Sequence, residues 1–109
     1  MRGSLLVILL LFSARSISAG FTDGNELYRW LQEAEKQGGS QWEAGLFYGY
    51  VGGVFDAGDG ELFCKPAGVS RGQIAEIVKA YLRENPGSWH FPATILIMYA
   101  LGRQFPCNK

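Results

Sequence analysis

Residues that do chemistry are scarce in this chain, which has two cysteines and one histidine among its 109 residues. A zinc site needs three or four Cys, His or carboxylate ligands, and a nucleophilic pair needs a free thiol beside a base. We expect the two cysteines to form a disulfide, so that only the single histidine, His90, is left. Neither a zinc site nor a thiol–base pair can then be assembled. We therefore predict that the protein is not an enzyme and that it has no metal or cofactor.

Ligand-binding loops are also missing. Asp56, Asp59 and Glu61 lack the regular alternation and the final Glu of a calcium loop. The glycines of Gly58-Asp59-Gly60 are neither preceded by a strand nor followed by the Lys-Ser/Thr of a phosphate-binding loop. We interpret this stretch as a turn, with Asp56 hydrogen-bonded to backbone amides or to a neighbouring side chain.

The N-terminus has the three parts of a secretory signal peptide. Residues 1–3 are positively charged, residues 5–12 are apolar, and residues 16–20 are mostly small, so we place cleavage after Ala19. A membrane span takes about 20 apolar residues, which disfavours the alternative of an uncleaved anchor. Residues 20–109 would then form a single exported domain.

Charge gives no indication of nucleic acid or of a membrane surface as a partner. The precursor has 10 basic and 10 acidic residues, without a block of either sign. Cleavage removes Arg2 and Arg15 but no acidic residue, which leaves a net charge of about −2. Neither nucleic acid nor an anionic membrane is expected to bind such a chain.

Two cysteines in a small exported chain predict one intramolecular disulfide, between Cys64 and Cys107. The bond closes a loop of about 44 residues, which the chain-entropy model equates with about 4 kcal/mol of stability. A domain of about 90 residues has a marginal core, so this is a large share of its net stability.

Four segments have helical periodicity, which predicts an all-α fold, a small four-helix bundle stapled by one disulfide. They cover about residues 24–36, 41–57 and 71–85, and a stretch from about residue 92 onward. Asp23 and Glu26 are spaced as a capping box before the first helix, and Ser70 is the expected N-cap of the third. The last segment is expected to be central, because it is apolar on nearly all sides, through Ile95, Leu96, Met98, Tyr99 and Leu101.

The second segment is ambiguous, because Gly45, Gly49 and Gly53 each weaken a helix by about 1 kcal/mol relative to Ala. A pair of strands is the alternative. We favour a helix, since the four-residue spacing places these glycines on one ridge that another backbone can approach closely, inside the bundle or across a dimer. Tyr48 or Phe55 could then contribute to a homodimer seam.

Five short strings in this order resemble the Tai immunity family of type VI secretion systems. They are Gly24-Asn25-Glu26-Leu27, Gly49-Tyr50-Val51-Gly52-Gly53-Val54-Phe55-Asp56-Ala57, Cys64-x-Pro66-x-Gly68-Val69-Ser70 with Gln73, Tyr81-Leu82 with Asn85-Pro86, and Ala100-Leu101 with Phe105-Pro106-Cys107. The resemblance implies a small helical protein of the periplasm, often a homodimer. It also implies a partner, a peptidoglycan amidase effector whose catalytic cleft the immunity protein occludes.

The chain departs from the family at two positions. Members commonly carry a second cysteine pair where this sequence has Leu31 and Phe47. Because both cysteines are absent together, we interpret the change as the exchange of a disulfide for an apolar contact between the first two helices.

An immunity protein of this kind needs a few aromatic or charged anchors on an exposed loop or helix edge. The predicted partner-binding residues are Tyr81, Arg83, Glu84, Trp89 and His90. Trp89 is as readily explained by core packing, and a solvated helix face accounts for Arg83 and Glu84.

A periplasmic holdase or envelope-stress protein with exposed apolar surface is the alternative function. It would expose apolar surface on heating or acidification and would bind many clients. The near-absence of histidine disfavours a trigger between pH 5 and 7.

Overall fold

The computed structural model describes residues 20–108, which form four α-helices and no strand. The helices are α1 (Gly24–Glu35), α2 (Gln41–Gly58), α3 (Arg71–Glu84) and α4 (Ala93–Gln104), and a 3-10 turn at Pro86–Ser88 precedes α4. The predicted all-α fold is confirmed, including a helix in the glycine-bearing second segment. The predicted signal peptide, residues 1–19, lies outside the described residues.

Local capping explains where two of these helices begin. Asp23 accepts a hydrogen bond of 3.0 Å from the backbone N–H of Glu26 at the start of α1. At the start of α3, the Ser70 hydroxyl accepts from the N–H of Gln73 and the Gln73 side chain accepts from the N–H of Ser70. A capping box of this kind satisfies two backbone donors that a helix N-terminus otherwise leaves without partners.

The core is formed by one face of each helix together with Phe63 from the α2–α3 connection. The largest fully buried side chains are those of Leu27, Leu31, Phe47, Phe63, Val78, Leu82, Ile97 and Leu101. Leu31 and Phe47 thus lie in the core, as expected for two apolar residues predicted to join the first two helices. Among residues 20–108, no helix is long and apolar enough to cross a membrane.

The predicted disulfide between Cys64 and Cys107 is present, with a Cα–Cα distance of 4.9 Å. It fastens the α2–α3 connection to the segment that follows α4, and the N–H of Cys64 also donates to the carbonyl of Phe105 at 2.8 Å. The adjacent Phe63 ring stacks on Phe55 of α2 with a centroid distance of 5.5 Å.

A second fastening, which we call the Trp89 latch, joins residues 89–93 to the start of α1. The N–H of Gly24 donates to the carbonyl of Phe91 at 3.0 Å, and the N–H of Asn25 donates to the carbonyl of Trp89 at 2.9 Å. The N–H of Ala93 donates to the backbone carbonyl of Thr22 at 2.9 Å. These backbone bonds fix the start of α4 against the start of α1.

The indole of Trp89 completes the latch. It stacks on Tyr28 of α1 with a centroid distance of 4.0 Å, and its Nε1–H donates to the carbonyl of Leu82 at 2.8 Å. Trp89 therefore contacts both α1 and α3, and it is only partly exposed.

Candidate partner-binding surface

Three large apolar side chains are exposed in a row along α4 and the turn before it. Phe91, Ile95 and Tyr99 expose 46%, 49% and 55% of their surface. Ile95 and Tyr99 are four residues apart and share one face of the helix, while Phe91 lies in the turn before it; we call these three residues the α4 stripe. Contiguous exposed apolar groups of this size mark interaction sites more often than scattered ones do.

Polar and aromatic groups border the α4 stripe. The Arg103 guanidinium lies 5.7 Å from the centroid of the Tyr99 ring, and Tyr81 of α3 packs edge-on against the same ring at 5.7 Å. An open groove between α3 and α4 runs beside the stripe and includes Asn85. The result is an aromatic centre with a polar edge, an arrangement typical of protein–protein interfaces.

Three of the five predicted partner-binding residues lie at this surface. Tyr81 lines the groove, and Glu84 lines a neighbouring depression together with Arg103. The exposed His90 ring packs against Phe91 with a centroid distance of 4.2 Å. Their contact with a partner stays a prediction.

The other two predicted residues have contacts within the chain. Trp89 is held in the latch. The Arg83 guanidinium forms an ion pair with Glu35 of α1, and this hydrogen bond raises the pKa of Arg83. Both residues therefore join α1 to the rest of the bundle. A partner would contact only the parts of Trp89 and Arg83 that these intrachain contacts leave exposed.

The expectation of a central α4 was wrong, because only one side of this helix is enclosed. Ala93, Leu96, Ile97, Ala100 and Leu101 are buried. Sequence reasoning expected Ile95 and Tyr99 to be enclosed in a central helix and missed that they are exposed. The four-residue spacing of the α4 stripe was visible in the sequence, but an equally apolar opposite face concealed it.

The glycine ridge of α2 faces outward. An added Cβ at Gly45, Gly49 or Gly53 would have no heavy atom within 4 Å, apart from its own helix backbone and chain neighbours. Trp42, at the start of the same helix, is 75% exposed. The expectation that the ridge packs inside the bundle was therefore wrong, and its use across a dimer stays a prediction.

Tyr48, one of the two predicted dimer-seam residues, is tied to a buried lysine. Lys79 is only 6% exposed, and its Nζ lies 2.9 Å from the Tyr48 hydroxyl and 2.9 Å from a Glu76 carboxylate oxygen. Burial lowers the pKa of Lys79, but these hydrogen bonds outweigh it and leave the pKa raised. The Tyr48 hydroxyl is thus engaged within the chain. Phe55, the other seam residue, is partly buried against Phe63.

Groups that could bind a metal are not clustered: among residues 20–108, no three His, Cys, Asp or Glu side chains lie close enough together to hold an ion. The fold and its surfaces define a class of small, disulfide-bonded helical proteins with exposed apolar side chains. The family model of Rap1a immunity proteins matches residues 23–107, and the chain belongs to this family of type VI secretion immunity proteins. No curated protein and no solved structure matches the chain.

This membership confirms the coarser part of the resemblance, an immunity protein that binds a secreted type VI effector. The match is to the Rap1a family as a whole and leaves the finer resemblance to a Tai subfamily a prediction. It does not identify the effector.

Proposed function

We propose that this protein protects its own cell by binding a peptidoglycan amidase that neighbouring cells inject through type VI secretion, as the Tai resemblance implies. The protein acts in the periplasm after removal of residues 1–19. It blocks the catalytic cleft by occupying it and takes no part in a reaction. Membership of the Rap1a immunity family is the observation that supports this proposal most strongly.

The α4 stripe is the proposed contact surface. Ile95 and Tyr99 supply apolar anchors, and Glu84, His90 and Arg103 lie around them as a polar rim. Interfaces draw most of their affinity from a few anchors of this kind, which the surrounding polar contacts shield from water. Ile95 and Tyr99 are held on a rigid helix and therefore lose little conformational entropy on binding.

A pull-down tests the function. The disulfide-intact exported protein is the bait in lysate of its own host, and bound proteins are identified by mass spectrometry. Recovery of one cell-wall amidase, whose activity falls when the bait is added back, supports the proposal. Recovery of many unrelated envelope proteins contradicts it and supports the holdase alternative.

The contact surface is tested with two matched variants. Ile95→Asp places a charge in the α4 stripe, and an acidic residue in the first turn of a helix is tolerated by the fold. Leu62→Asp is the control, because Leu62 is 55% exposed and lies outside the α4 stripe. We expect Ile95→Asp to weaken amidase binding by about 30-fold, corresponding to about 2 kcal/mol, and Leu62→Asp to leave it unchanged.

We further propose that two copies pair through the outward face of α2, as the resemblance to often dimeric proteins implies. The open positions at Gly45, Gly49 and Gly53 would let two α2 helices approach closely, and the exposed Trp42 would be covered. Light scattering over a range of concentrations measures the mass. A monomer at all concentrations contradicts this part of the proposal.

A further inference from the structure

A small pocket lies between the second half of α2 and the start of α3. Its volume is about 110 Å³. Its apolar floor includes Val51, Phe55 and Ile74, while Lys65, Arg71 and Asp56 also line it. Sites for small organic ligands usually measure about 300–1,000 Å³, so this pocket is the size of a side chain and too small for a typical free ligand.

The two cations of the pocket have no acidic partner within residues 20–108. Arg71 is exposed and is the first residue of α3, where the helix dipole disfavours a positive charge. The contact made by the Lys65 ammonium is 3.4 Å long and goes to the carbonyl of the adjacent Pro66. Neither Lys65 nor Arg71 therefore stabilises the fold through an ion pair within residues 20–108.

Gly52 provides the space in which the Arg71 guanidinium lies. A Cβ at position 52 would stand 2.9 Å from Nη1 of Arg71, so any other residue would displace that group. Glycine is unfavourable in the middle of a helix, and a cation is unfavourable at the start of one. Two locally unfavourable residues thus allow one guanidinium to lie against the backbone of α2, and such local conflicts are expected at functional sites.

We propose that this pocket, the Arg71 pocket, is a second anchor site for the protein partner, and that it takes an apolar side chain with a neighbouring carboxylate. The apolar group lies on the floor, and the carboxylate pairs with Arg71 and Lys65. Asp56 on the same lining offsets one of the two positive charges, so a single carboxylate matches the pocket better than a multiply charged phosphate. The identity of the partner as the effector rests on the proposed function.

The pocket is tested first without the effector. Acetyl-Leu-Glu-amide is titrated into the isotope-labelled, disulfide-intact protein and followed by NMR, with acetyl-Leu-Gln-amide as the uncharged probe. We expect saturable shifts at Gly52, Val69 and Arg71 with the Glu probe, and binding at least tenfold weaker with the Gln probe. Equal binding of both probes, shifts elsewhere, or no saturable shift would overturn the proposal.

Three variants test whether the guanidinium of Arg71 causes the preference for the Glu probe over the Gln probe. Arg71→Gln should abolish the preference for Glu, and Gly52→Ala should reduce it by displacing the side chain of Arg71. Lys36→Gln is the control, because Lys36 is also exposed but lies at the C-terminal end of α1, where it pairs with Glu33, and does not line the pocket. None of the three should lower the melting temperature appreciably, so a lost preference would not reflect unfolding.

The effector separates this proposal from the proposed function. If the pull-down recovers an amidase, Arg71→Gln should weaken its binding by at least tenfold and Lys36→Gln should not. An amidase that binds Arg71→Gln normally overturns the anchor site but leaves the immunity function in place. Probe binding without any recovered amidase would contradict the proposed function and leave the carboxylate preference of the pocket standing.

Discussion

Two groups of glycines in this molecule have opposite surroundings. Gly24 and Gly58 are enclosed: a Cβ at Gly24 would lie 2.7 Å from the Trp89 Cα, and one at Gly58 would lie 2.8 Å from the Phe63 ring. The outward glycines of α2, with Gly49 at their centre, meet nothing. Enclosed glycines allow parts of one chain to pack closely, whereas open glycines weaken a helix without any gain inside the chain. The enclosed glycines therefore serve the packing of the fold, whereas the open glycines of α2 leave a surface that a partner can approach.

Gly24→Ala should have the largest effect on stability. The added methyl would stand 2.5 Å from Leu96 Cδ1 and 2.8 Å from the carbonyl oxygen of Trp89. Backbone cannot yield as a side chain does, so the Trp89 latch would have to open at its hydrogen bonds to Gly24 and Asn25. We expect a loss of about 3 kcal/mol in the free energy of unfolding, measured by urea denaturation. A loss below about 1 kcal/mol would contradict the enclosure of Gly24.

Trp89→Phe tests the same latch through its side chain. The variant keeps an aromatic ring near Tyr28 but removes the donor to the Leu82 carbonyl, so we expect a loss of about 1.5 kcal/mol. Trp42→Phe is the matched control, because Trp42 is largely exposed and should change stability by less than about 0.5 kcal/mol. Equal effects of the two variants would argue against a structural role for Trp89.

Features determined by neighbours in sequence were predictable. The caps at Asp23 and Ser70 act over three residues, and they place two helix starts correctly. The two cysteines defined the staple because no other pairing was possible. The direction of the glycine ridge was not predictable, since α2 is apolar on both sides and only the packed bundle decides which side is enclosed.

The latch and the surface anchors depend on distant parts of the chain. The backbone bond from Asn25 to Trp89 joins residues 64 positions apart, and no local pattern indicates such a pair. For the candidate surface, sequence reasoning selected three residues at its edge, His90 among them, but expected Ile95 and Tyr99 to be enclosed in a central helix. The sequence pattern of apolar side chains is the same whether they are buried in a core or exposed on the surface.

Gly49→Ala should stabilise the monomer. Alanine is the better helix former, and the new methyl meets no other atom, so we expect a gain of about 1 kcal/mol, the opposite sign to Gly24→Ala. Urea denaturation at low protein concentration measures it. If two copies pair through this face, the same methyl should also weaken the dimer, which light scattering would detect. A loss of monomer stability would contradict the open surroundings of Gly49.

Acidification should produce the smallest change in stability, and it should act at the connection between α1 and α2, where Glu33 accepts a hydrogen bond from Ser40. A hydrogen bond from Lys36, followed by one from the N–H of Ser40, lowers the pKa of Glu33. The group therefore contributes stability that is present above the pKa of the unfolded chain, about 4.5, and is lost as the pH falls through the lowered value. The hydrogen bonds of the Trp89 latch are made by backbone groups and an uncharged indole, so none of them depends directly on a titrating side chain. Hydrogen exchange near pH 4 should show earlier opening at Ser40 than at Asn25, and Glu33→Gln should remove that pH dependence at Ser40. Simultaneous opening of both amides as the pH falls would mean that the two regions are not independent.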